Sequence, residues 1–462
     1  MSLRRAPRFA LERLIEMWTL PQRLPWQPLP EHHRPDFTAL RHLEPEGREL
    51  VALSGGGWRR GRYSLVGACA TSIAIESAEH ARLLFDTPPE RGLRVLALGY
   101  ELGRRFAHLP QAEAPGDQPL GLSVVLDSAL IVDHHESRWT VVGEREGALH
   151  LALLGTATDV AHAPVLNDLA LYPATPDDKH EANIRLAQAY ISLGEIYQAN
   201  VTRRLRVDGI ANGVEAHIAL SMHNPVAHGS YIRAQGIELI SNSMETLLTF
   251  DPESRALSSY PIKGTRPREK LSDPENEATL LRADEKERAE HVMIVDLVRN
   301  DLGKVCNVGS VQVPELMSVE AYSGVYHAVS KISGTMRADV TLGDAVAALF
   351  PGGSITGAPK RRAIQLLDKI EEEPRGFYTG SIGLLGPTGA LSMSILIRTL
   401  VRDERGWSLG VGGGIVTDSV PARELEETRT KVRVFEKVLG ETSHGAKNRE
   451  ARGLTSGGTL GF

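Results

Sequence analysis

Lys263 lies in the run PIKGTRPR, Pro261 to Arg268, and its neighbours make it a candidate nucleophile. A lysine amine attacks near neutral pH only when its pKa is lowered, and a nearby cation such as Arg266 or Arg268, with partial desolvation, does this. Without those neighbours it would read as a solvated lysine in a glycine-containing turn. Two other stretches gather carboxylates on one helical side. ADEKERAEHVMIVDLVRND sets Glu287 and Glu290 three residues apart, with His291 and Ile294 continuing that face. PARELEETRTKVRVFEKVL sets Glu424, Glu427 and Lys431 at steps of three and four. A hard cation such as Mg²⁺ takes few protein carboxylates and keeps positions for water and an anionic substrate, which suits glutamates from two helices. A solvated, charge-patterned face explains the same spacing.

Donors for an anion are also present. Arg398 in LIRTL offers a planar fork, Lys431 a point charge and Tyr378 a phenolic hydroxyl, while Gly412, Gly413 and Gly414 let backbone N–H groups approach closely. GGSITGAPK invites a phosphate-loop reading, but Ala358 follows Gly357 and Lys360 comes two residues late. Nucleotide binding is therefore rejected.

These residues need a scaffold. LRVLALGY, LSVVLDSALIVD and RWTVVG read as strands and EHARLLFD as a short helix, so the first part is mixed α and β. A break follows at LYPATPDDKHEAN, where Pro173 and Pro176 precede Asp177 and Asp178, a helix start leading into IRLAQAYISLG. The expected organisation is an N-terminal subdomain over 1–170, a catalytic region over 175–440 and a polar, Gly/Ser-rich mobile tail over 441–462.

Composition narrows the class. A net charge of −6, with Arg203, Arg204 and Arg206 interleaved among apolar residues, leaves no basic footprint for nucleic acid. No apolar run is long enough to span a bilayer, and MSLRRAPRFALERLIEMW leads into charge and proline instead of a cleavage site, so a soluble, cytoplasmic protein is expected. Cys69 and Cys306 provide neither a disulfide framework nor a thiolate metal cluster. Cys69 in GACAT looks like a nucleophile elbow, yet LVGACATSIAI reads as a buried strand in which cysteine acts as a small hydrophobe.

From about Gly99 to Lys437 the segments GYELGRRF, GEIYQAN, SNSMETLL, PIKGTRPR, DEKERAEHVMIVDLVRNDLGKV, GGSITGAPKRRAIQLLD, YTGSIGLL, SILIRTL and GVGGGIVTDSVPARELEETRTK occur in order. Together they resemble the chorismate-utilising enzymes, and within them the aminodeoxychorismate synthases. The resemblance implies an α/β (α+β) fold of two large β-sheets packed face to face with helices outside, the N-terminal part contributing strands. It implies that Glu290 and Glu427 ligate Mg²⁺, with Glu287 and Glu424 behind them. It also implies substrate contacts from Arg398, Tyr378, Lys431, the three glycines, and Thr356 with its turn. For Thr356 a plain helix-initiating loop is the alternative.

Within such a site, departure of the ring 4-hydroxyl needs a proton, and Glu245 in SNSMETLL matches the general acid. Met244 and Thr246 depart from the commoner SPER pattern there. His327 in VYHAVSKISG corresponds to a site histidine, although a histidine in an apolar strand can equally be a satisfied core residue. Gln198 stands where isochorismate synthases carry a lysine base, which disfavours hydration. Lys263 stands where anthranilate synthases commonly carry alanine. The implied reaction is covalent attack by Lys263 at ring carbon 2, then ammonia at carbon 4, giving 4-amino-4-deoxychorismate. Neither cysteine suits a glutaminase, so ammonia is expected from solution or from a separate glutamine amidotransferase subunit. LVALSGGGWRRGRYSLVG resembles the family's tryptophan-holding region, with Ser54 as the candidate contact; a β-hairpin turn explains the same glycines. Anthranilate synthase component I and a non-catalytic paralogue are the rival readings.

Overall fold

The computed structural model describes residues 25–28, 39–43, 49–53, 63–109, 118–134, 136–143, 169–267, 279–280, 283, 285–321 and 325–440. Ser54, Arg268 and the 441–462 segment lie outside the described residues.

Alternating and continuous apolar runs become strands where expected: Leu93–Leu98, Gly121–Asp133 and Arg138–Gly143. EHARLLFD falls in the helix Ala78–Asp86, whose N-cap Ser77 accepts a bond from the His80 N–H. The helix Asp177–Ser192 begins at the predicted acidic pair, where carboxylates favour a helix N-terminus. Tyr63–Ile75 is one strand, buried from Ser64 through Ala68, but Cys69 is half-buried instead of enclosed. Burial and the adjacent Glu49 still push its thiol up to about 12, so it is no thiolate nucleophile.

The fold is mixed α/β around a large antiparallel sheet, as expected, and the connectivity adds detail. Hydrogen bonds join 20 strands of the described residues into one network. That network stays open at its ends and folds so that its own faces meet. One core cluster, including Val51, Val95, Ala97, Val124, Ile232 and Leu384, draws only on strands and the turns joining them. Two other clusters mix strand residues with helix residues such as Val214, Val432 and Phe435, or Leu84, Val298 and Val346. Strand faces therefore pack on one another inside, and helices cover the outer faces. N-terminal strands are built into the same network: Leu50–Leu53 pairs with His228–Ala234, and Leu93–Leu98 with Ser381–Leu385.

Three pairings position the chemistry. Gln198–Asp208 runs antiparallel to Gly406–Ile415 with Gly414 opposite Asn200, Ile262–Pro267 lies against Val325–Thr335, and Gly357–Ala358 adds to Gln198–Ala199. The helix Pro421–Phe435 buries Leu425, Thr428, Val432 and Phe435, so Glu424, Glu427 and Lys431 fall on the flank beside the glycine strand. The helix Glu285–Gly303 crosses behind Lys263.

Candidate active site

Gly414 marks the centre. A Cβ built on it would meet Gln198 Nε2 at 2.6 Å and Lys263 Nζ at 3.2 Å, so only glycine leaves room for both side chains over this strand. Gln198 is fully buried, and neither its Nε2 nor its Oε1 has a partner among the described residues. An unpaired buried amide is costly, so this side chain suits a polar ligand group or water.

Glu245 borders the same space. Its carboxylate accepts from Ser354 Oγ at 2.7 Å and from the backbone N–H of Ile262, the residue before Lys263. Burial pushes its pKa up to about 7, against the lowering effect of Ser354, the Lys263 charge and the Ile262 N–H. A carboxyl group of that pKa is a proton donor near neutrality. Ser354 in the GGSITGAPK loop is a site residue that sequence reasoning misses, because nothing local signals a bond across 109 residues.

His327 is 4 % exposed and its Nδ1 donates to the Gly264 carbonyl at 3.2 Å. Burial, with the Arg398 guanidinium nearby, lowers its pKa to about 4, so the ring is neutral at physiological pH. Arg398 itself sits at φ +51, a left-handed conformation unusual for a side-chain-bearing residue. Desolvation lowers its pKa, and no carboxylate pairs with it among the described residues. A half-buried guanidinium without a counter-ion has the chemistry to accept a carboxylate partner.

The acidic stripe of the Pro421–Phe435 helix converges on Gly413. Glu424 Oε2, Glu427 Oε1 and Lys431 Nζ lie 3.3, 3.8 and 4.0 Å from the point its Cβ would take. Lys431 pairs with Glu427 at 2.7 Å and donates to the Gly412 carbonyl at 2.7 Å. That bond turns the Gly412 backbone away from the Gln198–Asp208 ladder, and by alternation Gly414 turns the same way. Glu287 and Glu290 are half-buried on the Glu285–Gly303 helix, Glu287 one turn before His291. Among the described residues no three Asp, Glu, His or Cys side chains form a ready-made metal group.

Two further predicted contacts have partners of their own within the protein. Thr356 is fully buried and its hydroxyl donates to the Gly352 carbonyl at 3.0 Å, closing its own turn. Tyr378 lies over Gly410, four residues from Gly414 and hence about 13 Å along the strand. It lines a cavity with Arg203, Glu371 and Arg375. Arg375 also lies beyond the reach of sequence reasoning: it chelates Glu371 and donates to the carbonyls of Ile355 and Asn200, locking the Thr356 turn to the Gln198 strand.

A buried acid, an adjacent amine, an unpaired amide and an unpaired guanidinium in a mixed α/β frame make a candidate acid–amine site whose chemistry suits an anionic small molecule. The chain belongs to the family of chorismate binding enzymes, which matches residues 66–437. Anthranilate synthase component 1 1 of Haloarcula marismortui is 43 % identical over 301 residues, 64 % of this chain and 61 % of that protein. Aminodeoxychorismate synthase component 1 of Klebsiella aerogenes is 38 % identical over 342 residues, 72 % of this chain and 74 % of that protein. The crystal structure of anthranilate synthase component I from Streptococcus pneumoniae superposes with a TM-score of 0.70 at 25 % identity, over 82 % of this chain and 92 % of that one. The matched region spans 51–61 % of the length of three curated relatives. No described helix is long and apolar enough to cross a membrane.

Proposed function

We propose that this chain aminates chorismate at ring carbon 4, as the chorismate-converting component of an aminodeoxychorismate synthase. The observation that carries this reading is the Lys263 amine beside Gln198 and Gly414, near enough to the buried acid Glu245 to act on it electrostatically. In the first step the uncharged Lys263 nitrogen bonds to carbon 2 and becomes cationic, the ring double bond shifts, and the carbon–oxygen bond at carbon 4 breaks as Glu245 protonates the leaving hydroxyl to water. Ammonia then bonds to carbon 4, the double bond returns and the lysine leaves. Arg398 holds a substrate carboxylate, and neutral His327 keeps the Gly264 carbonyl in place.

Mg²⁺ suits the donors: the Glu424 and Glu427 carboxylates converge above Gly413, and oxygen ligands are what a hard cation prefers. Glu290 and Glu287 of the Glu285–Gly303 helix would complete its protein ligands. The ion would neutralise substrate carboxylate charge. Ammonia would come from a separate glutamine amidotransferase subunit, as the name "component 1" of the Klebsiella relative suggests. The protein would then be a cytoplasmic enzyme supplying the precursor of 4-aminobenzoate and folate.

The 43 % identity to a Haloarcula anthranilate synthase component favours a second reading, amination at carbon 2 with loss of the side chain. Incubation with chorismate, Mg²⁺ and ammonium, followed by chromatography and fluorescence, separates them. The 4-amino compound supports the proposal, and fluorescent anthranilate refutes it.

A further inference from the structure

The strand that carries Lys263 is irregular at that point. Lys263 pairs with Ala328 and Thr265 with His327, so Gly264 is an extra residue with no opposite number, at φ +87. Such a bulge breaks the ladder and re-aims a side chain, and the carbonyls it displaces need other donors. Two imidazoles supply them. His291 Nδ1 lies 3.2 Å from the Lys263 carbonyl, and His327 Nδ1 lies 3.2 Å from that of Gly264. Only a protonated ring nitrogen can bond a carbonyl, so His291 carries its hydrogen on Nδ1. Its Nε2 then accepts from the Ser330 hydroxyl at 2.6 Å, and Ser330 Oγ in turn accepts from the Met317 N–H at 2.9 Å. His291 is 1 % exposed and Ser330 is fully buried, so water does not compete for these bonds.

We propose that His291, oriented by Ser330, is a positioning residue that fixes the bulge and thereby aims the Lys263 amine at the substrate ring. The inference rests on the reading of Lys263 as nucleophile. His291 touches no reacting atom. It acts through the main chain, tying the Glu285–Gly303 helix and two strands to one carbonyl. An amine displaced by about 1 Å can lose two orders of magnitude in rate while the rest of the site still binds substrate.

The test compares chorismate turnover, with ammonium as nitrogen donor, in His291→Leu, His291→Asn, His291→Gln and Ser330→Ala, with thermal melts in parallel. His291→Leu should lower kcat by about 10- to 100-fold and change KM for chorismate less than about threefold. His291→Asn places an amide N–H where Nδ1–H was and should recover about tenfold. His291→Gln puts its N–H at the far ring position and should not. Ser330→Ala should lower kcat less, in the same direction. A folded His291→Leu with kcat within about twofold of the parent would overturn the inference. If His291→Leu does not fold, equal rates for Asn and Gln would overturn it. Lys263→Ala runs alongside. An inactive Lys263→Ala with an active His291→Leu sinks this inference alone, while a fully active Lys263→Ala removes the nucleophile reading and this inference with it.

Discussion

Replacing Glu245 with glutamine should stabilise the protein while disabling it, and the gain should depend on pH. Burial displaces the Glu245 pKa from 4.5 to about 7 in the folded chain. A carboxyl group whose folded pKa is raised binds its proton more tightly when folded. Its penalty is therefore absent below about 4.5, grows between about 4.5 and 7, and is complete above about 7. That displacement, at about 1.36 kcal/mol per pH unit, corresponds to about 3 kcal/mol. Glutamine fills the same volume and keeps an acceptor for Ser354 Oγ without ever charging. Denaturant midpoints for both proteins at pH 5, 6 and 8 should show the variant's advantage widening as pH rises. Chorismate turnover should fall by about 10²- to 10⁴-fold, since the amide has no proton to give the leaving hydroxyl. An advantage that stays constant from pH 5 to 8 would refute the raised pKa, and retained turnover would refute the acid role.

Gly414→Ala would put a methyl group 2.6 Å from Gln198 Nε2 and 3.2 Å from Lys263 Nζ; kcat/KM for chorismate should drop at least about tenfold with little change in melting temperature, measured by steady-state kinetics and calorimetry. Glu427→Gln removes one carboxylate from the group above Gly413 and releases Lys431; the Mg²⁺ concentration for half-maximal activity should rise by about tenfold, and an unchanged titration would remove Glu427 from the ligand set.

The local part of this architecture is legible in the chain. The helix start at Asp177, the strands Leu93–Leu98 and Gly121–Asp133, and the acidic stripe of Glu424 and Glu427 follow from caps and periodicity alone. Long-range register is not. Ser354 reaches Glu245 only because the loop after Phe350 folds beneath that strand, and His291 finds the Lys263 carbonyl only because Gly264 is extruded as a bulge. Neither follows from spacing. Tyr378 has the chemistry of a substrate donor, yet the absence of a side chain at Gly410 draws its ring over that position. Cys69 shows the same limit, since its run of residues announces a strand but not the loss of cover after Ala68.

The most direct test of the account is peptide mapping by mass spectrometry after the protein meets chorismate and Mg²⁺ without ammonia and is then quenched in acid. The account predicts a peptide carrying Lys263 heavier by chorismate less one water, absent in Lys263→Ala. Turnover to the 4-amino product with ammonia, but with Lys263 never modified and Lys263→Ala equally active, would contradict it.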